Sequence, residues 1–109
     1  MTLALGLAAG AAGAHADEVL VAVAANFAAP MARLADNFTA ATGHTLKLAS
    51  GATGKFYSQI VAGAPFEVLL SADDEMPQRL IREGHAVAGS AFTYAVGQLV
   101  LWSATPGLV

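Results

Sequence analysis

The sequence predicts a doubly wound α/β fold with a mostly parallel sheet, and three observations carry that prediction. Short apolar runs alternate with longer segments of helical period in the order β-α-β-α-β-α. The first run, Val19 to Ala24 (VLVAVA), shows no polar alternation, as expected of a parallel strand covered on both faces. Parallel neighbours need crossover connections, which the intervening helices supply, and such crossovers are right-handed in nearly all proteins.

The elements follow in order. After Val19 to Ala24, Pro30 stands where a first helical turn tolerates it, and Met31, Leu34, Ala35 and Phe38 fall at i, i+3, i+4 and i+7 before Gly43 stops the helix. That face is expected to be core. Thr45 to Ala49 (TLKLA) is a second strand, and Gly54 to Ala62 a second helix, with Phe56 and Ile60 four apart on one face. Gly63-Ala64-Pro65 ends it. Phe66 to Leu70 (FEVLL) is a third strand, and a third helix carries Met76, Leu80 and Ile81 before Gly84. Its acidic start, Asp73-Asp74-Glu75, and its late Arg79 and Arg82 match the helix dipole. Tyr94 to Trp102 (YAVGQLVLW) reads as one more strand, whose Leu99, Leu101 and Trp102 would be exposed and prone to association if left without partners.

At 109 residues the chain holds one domain at most, because domains typically run to about 100 to 150 residues. The hydrophobic fraction of 56% and charged fraction of 12% exclude a disordered chain. Net charge is -3, and the five cations, Arg33, Lys47, Lys55, Arg79 and Arg82, are scattered, so nucleic acid is not an expected partner. Without cysteine there are no disulfides, thiolate metal sites or cysteine nucleophiles. Residues 1 to 16 form an apolar, small-residue run ending in Ala14-His15-Ala16, which fits the A-x-A rule for a secretory signal although no positively charged segment precedes it. Asp17 would then begin the mature, exported chain.

In an open α/β sheet, ligands bind beyond the carboxyl ends of the strands, where the following helices point their free N-H groups. Two such turns carry suitable side chains. Asn26, in Ala24-Ala25-Asn26-Phe27, can cap a helix or point its amide at a ligand. In Ser50-Gly51-Ala52-Thr53-Gly54 the glycines permit close approach, and the Ser50 and Thr53 hydroxyls can donate to an oxyanion. The plain alternative is that Asn26 and Thr53 are only helix caps. Gly51 to Lys55 departs from a P-loop, since Ala49 and Phe56 replace its required Gly and Ser or Thr, and Lys55 is expected to be a solvated helix residue. Asp73 to Glu75 is read as helix-start chemistry rather than a metal cluster. His15, His44 and His85 are isolated from any nucleophile or paired-ligand spacing, so no catalytic residue is assigned.

Three stretches, VAVAANFAAPM (21 to 31), SGATGKFYSQI (50 to 60) and AGAPFEVLLSADDEMPQRL (62 to 80), resemble the periplasmic molybdate-binding proteins of ABC importers. The resemblance covers nearly all of residues 18 to 105. It implies the first lobe of a type II periplasmic binding protein, with residues 17-92 as that lobe and 93-109 as the start of a crossover into a second lobe that this chain lacks. It also implies a periplasmic protein, monomeric when complete, that delivers molybdate or tungstate to a membrane permease without a cofactor or catalysis. Carried over from the family, the oxyanion-binding positions are Asn26 and Thr53, with Ala25 and Ala52 as weaker backbone candidates and no protein ligand to the metal atom itself. Asn26 replaces a frequent serine, Ala52 and Thr53 replace a pair of serines, and Glu67 stands where aspartate is common. The alternatives are a binder of another tetrahedral oxyanion such as sulfate or phosphate, an inactive truncated product, and, less favoured, an enzyme acting on phosphate esters at the same helix termini.

Overall fold

The computed structural model describes residues 17 to 109, so the proposed leader over residues 1 to 16 lies outside the described residues. Three parallel strands, β1 (Glu18–Ala24), β2 (Thr45–Gly51) and β3 (Val68–Leu70), pair in the order β2-β1-β3. The helices are α1 (Ala28–Thr42), α2 (Thr53–Val61) and α3 (Glu75–Arg82), and a 3-10 turn, Ala25–Phe27, links β1 to α1. The chain moves from β1 to β2 on one side, then crosses back to β3 on the other. With right-handed crossovers, that reversal puts α1 on one face and α2 on the other. The predicted α/β class and parallel sheet are therefore what forms.

The core is small and centred on β1. Val21, Ala22, Val23 and Ala24 are all buried, because β1 has a hydrogen-bonded neighbour on each side and a helix on each face. Ala35 of α1, Phe56 of α2 and Leu80 of α3 complete the buried apolar set. On the α2 face Phe56 packs edge-on against Phe66, with ring centroids 5.4 Å apart. On the other face, only Ala35 of the expected α1 stripe is buried, and Leu34 and Phe38 remain half exposed. The narrow sheet offers α1 only β1 and β2 to cover, so the flanks of its apolar stripe overhang.

Helix ends follow the glycines. At Gly43 the backbone takes φ 79°, and its N-H donates to Thr39 O at 2.8 Å, closing α1 in the left-handed conformation that a side chain disfavours. At Gly63, φ is 100°, and Ala64 N donates to Gln59 O at 2.9 Å, which ends α2 in a Schellman arrangement.

Two strand expectations need correction. Over Phe66 to Leu70 only Val68–Leu70 forms β3. Phe66 turns toward Phe56, while Glu67 bonds β1 with both its backbone and its side chain: its N-H donates to Leu20 O at 2.9 Å and its Oε1 accepts from Leu20 N at 3.2 Å. A carboxylate thus replaces the first backbone acceptor of the ladder. Over Tyr94 to Trp102 no strand forms, because the segment pairs with neither edge of the sheet, and Val96, Leu99, Leu101 and Trp102 are exposed. Its one aromatic contact is Tyr94, edge-on to Phe27 at 4.9 Å.

Polar ties on the surface are modest. Lys47 Nζ lies 3.4 Å from Glu18 Oε1, an exposed pair that contributes at most about 1 kcal/mol. Between α2 and α3, the Tyr57 hydroxyl donates to Glu83 Oε1, Arg79 Nε donates to Glu83 Oε2 at 3.1 Å, and the Arg79 guanidinium lies 4.5 Å from the Tyr57 ring centre. Hydrogen bonds from Tyr57 and then Arg79 hold the Glu83 carboxyl below its usual range, and donation to Glu83 raises the Tyr57 hydroxyl above its usual value.

Two outcomes are expected. Phe56→Ala removes the largest side chain beneath α2 and should destabilise the fold by about 3 kcal/mol or more in denaturant unfolding. For the Tyr57-Glu83-Arg79 tie, the depressed Glu83 pKa stabilises the fold above the ordinary carboxylate range, and that contribution is lost as pH falls through the folded value. The raised Tyr57 pKa stabilises below the ordinary tyrosine range and is lost as pH rises through its folded value. Thermal midpoints of wild type minus Glu83→Gln should therefore form a plateau around neutral pH that shrinks on both the acid and the strongly alkaline side.

Candidate functional site

Parallel pairing brings all three strand ends to one edge of the sheet. Ala24 pairs in register with Gly51, and Val23 with both Ser50 and Leu70, so the turns Ala25–Phe27, Ala52-Thr53-Gly54 and Ser71-Ala72-Asp73 begin side by side. The central β1 reverses the winding, which makes this edge the topological switch point of the fold.

Asn26 sits in the 3-10 turn and is exposed. It does not cap α1: the residue at the cap position is Phe27, with no side-chain cap bond, and among the described residues the Asn26 amide has no intramolecular partner. Ala25 lies beside it, exposed, and Ala25 O accepts the Ala28 N-H.

Thr53 is the first residue of α2 rather than its cap. Ala52 holds the cap position with extended backbone, φ -78° and ψ 137°, and its carbonyl accepts the Phe56 N-H at 3.1 Å. The N-H groups of Thr53, Gly54 and Lys55 consequently lack helical acceptors, as first-turn donors do. Thr53 Oγ1 accepts the Ala72 N-H at 3.1 Å, a bond that reaches from the turn after β2 to the turn after β3. Its hydroxyl proton has no acceptor among the described residues. Neither Asn26 nor Thr53 therefore serves as an ordinary helix cap.

The third turn was read in the sequence as helix-start chemistry and not as part of the anion site. Ser71 Oγ donates to Asp73 Oδ1 and accepts from Asp73 N, each at 3.3 Å, and Asp73 Oδ1 accepts the Met76 N-H at 3.0 Å. Asp73, one residue before the cap position Asp74, thus takes up a first-turn N-H of α3, in keeping with its helix-start reading, and among the described residues no group of three or more His, Cys, Asp or Glu could hold a metal ion. A serine and an aspartate two residues apart after a strand are the available sequence signal for this turn.

Two depressions mark the surface. One of about 210 Å³ is lined by Val23, Ala28, Ala32, Leu48 and Ser50, residues of β1, α1 and β2. A larger one of about 460 Å³, lined by Gln59, Ala62, Ala64, Pro65 and Phe66, lies at the end of α2 and the start of β3, away from the strand ends that carry the polar groups. Ser50 is the one polar residue that lines the smaller one, and Ala25, Asn26, Ala52 and Thr53 are not among its lining residues. Lys47 and Arg79 are engaged with Glu18 and Glu83. Lys55 is exposed on α2, as expected of a solvated helix residue.

Comparison with known proteins supplies the lineage. A family model described as bacterial extracellular solute-binding protein matches residues 19–107. The molybdate-binding protein ModA of Azotobacter vinelandii is 59% identical over 109 residues, which is all of this chain and 43% of that protein. The molybdate-binding protein ModA of Rhodobacter capsulatus is 55% identical, again over all of this chain and 42% of its own length. The solved structure of the Azotobacter vinelandii periplasmic molybdate-binding protein aligns with a TM-score of 0.76 and 49% identity over 83% of this chain and 39% of that one. The substrate binding domain of a putative molybdenum ABC transporter from Clostridium difficile aligns with a TM-score of 0.61 and 26% identity over 63% of this chain and 31% of that one. This chain spans about two-fifths of the length of its curated relatives. With the match running from β1 nearly to the last residue, the chain belongs to the bacterial extracellular solute-binding protein family.

Proposed function

We propose that this chain is the first lobe of a periplasmic binding protein for molybdate or tungstate, which captures the oxyanion and delivers it to an ABC importer permease. The observation that carries the reading is the pair of uncommitted donors at neighbouring strand ends: the free Asn26 amide and the Thr53 hydroxyl, whose proton has no partner among the described residues. Neutral donors suit a tetrahedral dianion, because they satisfy its oxygens without importing a counter-charge that would have to be desolvated. Ala25 and Ala52 contribute backbone N-H geometry at the same two turns. Kinship to the two ModA proteins at 59% and 55% identity directs the choice of anion.

Residues 17-92 form this lobe in the proposal, and 93-109 lead toward a second one that closes over the anion by hinge motion. The exposed apolar side chains of Val96, Leu99, Leu101 and Trp102 are consistent with a segment that packs elsewhere in a longer protein. Residues 1-16 act as the export signal in this reading. The assembled protein is a monomer that performs no chemistry on its cargo.

A thermal melt of the leaderless protein, joined to the second lobe of its natural reading frame, tests the assignment. Molybdate and tungstate should each raise the midpoint, since a ligand that binds only the native state stabilises it. A rise with sulfate or phosphate instead would move the assignment to another tetrahedral anion, and no rise with any of the four would refute it. In the same protein Thr53→Ala should weaken molybdate binding at least tenfold, about 1.4 kcal/mol. Unchanged affinity by calorimetry would remove Thr53 from the site.

A further inference from the structure

The turn after β3 is hydrogen-bonded to Thr53 of the second donor turn, at the hydroxyl oxygen. A threonine hydroxyl has one proton and two acceptor lone pairs. Here one lone pair receives the Ala72 N-H at 3.1 Å, past the end of β1, from a residue nineteen positions away in sequence. Thr53 is β-branched and so is already restricted about χ1. The Ala72 bond fixes where its oxygen stands, and the remaining freedom is the direction of one proton.

We propose that the Ala72 amide, held in place by Asp73, is a positioning group for anion capture: it sets the Thr53 hydroxyl so that it presents a donor outward before the anion arrives. This rests on the anion-binding reading above. Asp73 is the residue that holds the amide. Its Oδ1 accepts from Ser71 Oγ at 3.3 Å and from Met76 N at 3.0 Å, while its own N-H returns to Ser71 Oγ, which pins the backbone on both sides of Ala72. The same bonds keep the Asp73 charge turned to the first turn of α3, where the helix dipole favours it, rather than toward a bound anion. Pre-setting a donor removes an ordering cost that binding would otherwise carry.

The positioning role is separable from plain structural support by a double-mutant cycle in the two-lobed protein. Thr53→Val removes the hydroxyl at nearly constant shape, Asp73→Ala removes the tie, and Asp73→Asn keeps an acceptor oxygen. Without anion, exchange of the Ala72 amide proton read by NMR should quicken at least about tenfold in Thr53→Val and stay slow in Thr53→Ser. Molybdate affinity should fall about fivefold or more on Asp73→Ala when Thr53 is present, recover with Asp73→Asn, and not fall further on Asp73→Ala when valine occupies position 53. Unchanged Ala72 exchange in Thr53→Val, or an equal loss of affinity from Asp73→Ala in both backgrounds, overturns the positioning role while leaving the anion site standing. If wild-type protein binds no tetrahedral anion, the functional reading fails, and the positioning role falls with it.

Discussion

Everything in this lobe depends on the parallel ladder that clamps β1 between β2 and β3. Because the three strands run the same way, their carboxyl ends and the helix starts that follow them come out at one edge. An antiparallel neighbour would have sent one of those turns to the opposite end of the sheet. The clamp also explains the composition of β1. Val21 to Ala24 have water on neither face, and alanine at positions 22 and 24 lets flanking elements come close where a larger side chain would hold them off.

Much of this was legible in the residues. The unbroken apolar run of β1, the glycine punctuation at Gly43 and Gly63, and the four-residue spacing of Phe56 and Ile60 each follow from local physics, and each element appears within a residue or two of its expected place. That Asn26 and Thr53 fall at the turns after β1 and β2 was also legible. What escaped the sequence was non-local. Glu67 completes the start of β3 with its side chain, and no periodicity in FEVLL distinguishes a carboxylate that bonds a neighbouring strand from one that faces solvent. Tyr94 to Trp102 has strand composition, but composition cannot supply a neighbour, and without one the backbone remains unpaired. The Ala72 amide carries no side-chain signal at all, so its bond to Thr53 becomes visible only once β2 and β3 are known to flank β1.

The electrostatics of the edge are as informative as its hydrogen bonds. The chain has a net charge of -3, and the candidate donors at the strand ends, Asn26 and Thr53, are neutral. Lys47 is paired with Glu18 and Arg79 with Glu83, and Asp73 is bound to the start of α3. Recognition in the proposed site would depend on the direction and number of N-H and O-H groups. It is correspondingly less sensitive to salt than recognition by exposed cations, whose attraction is screened over about 8 Å at physiological ionic strength.

One glycine ties the apolar core to this polar edge. Gly51 is the last residue of β2, and a methyl group on its α-carbon would already stand 3.4 Å from the Phe56 ring. That is ordinary contact, so a methyl group would fill the gap, and a longer side chain reaching toward α2 would press on the ring. The ring belongs to the first turn of α2, three residues after Thr53. Bulk at position 51 would therefore act as a wedge between β2 and the helix start that carries Thr53, altering the proposed site without placing a new atom inside it.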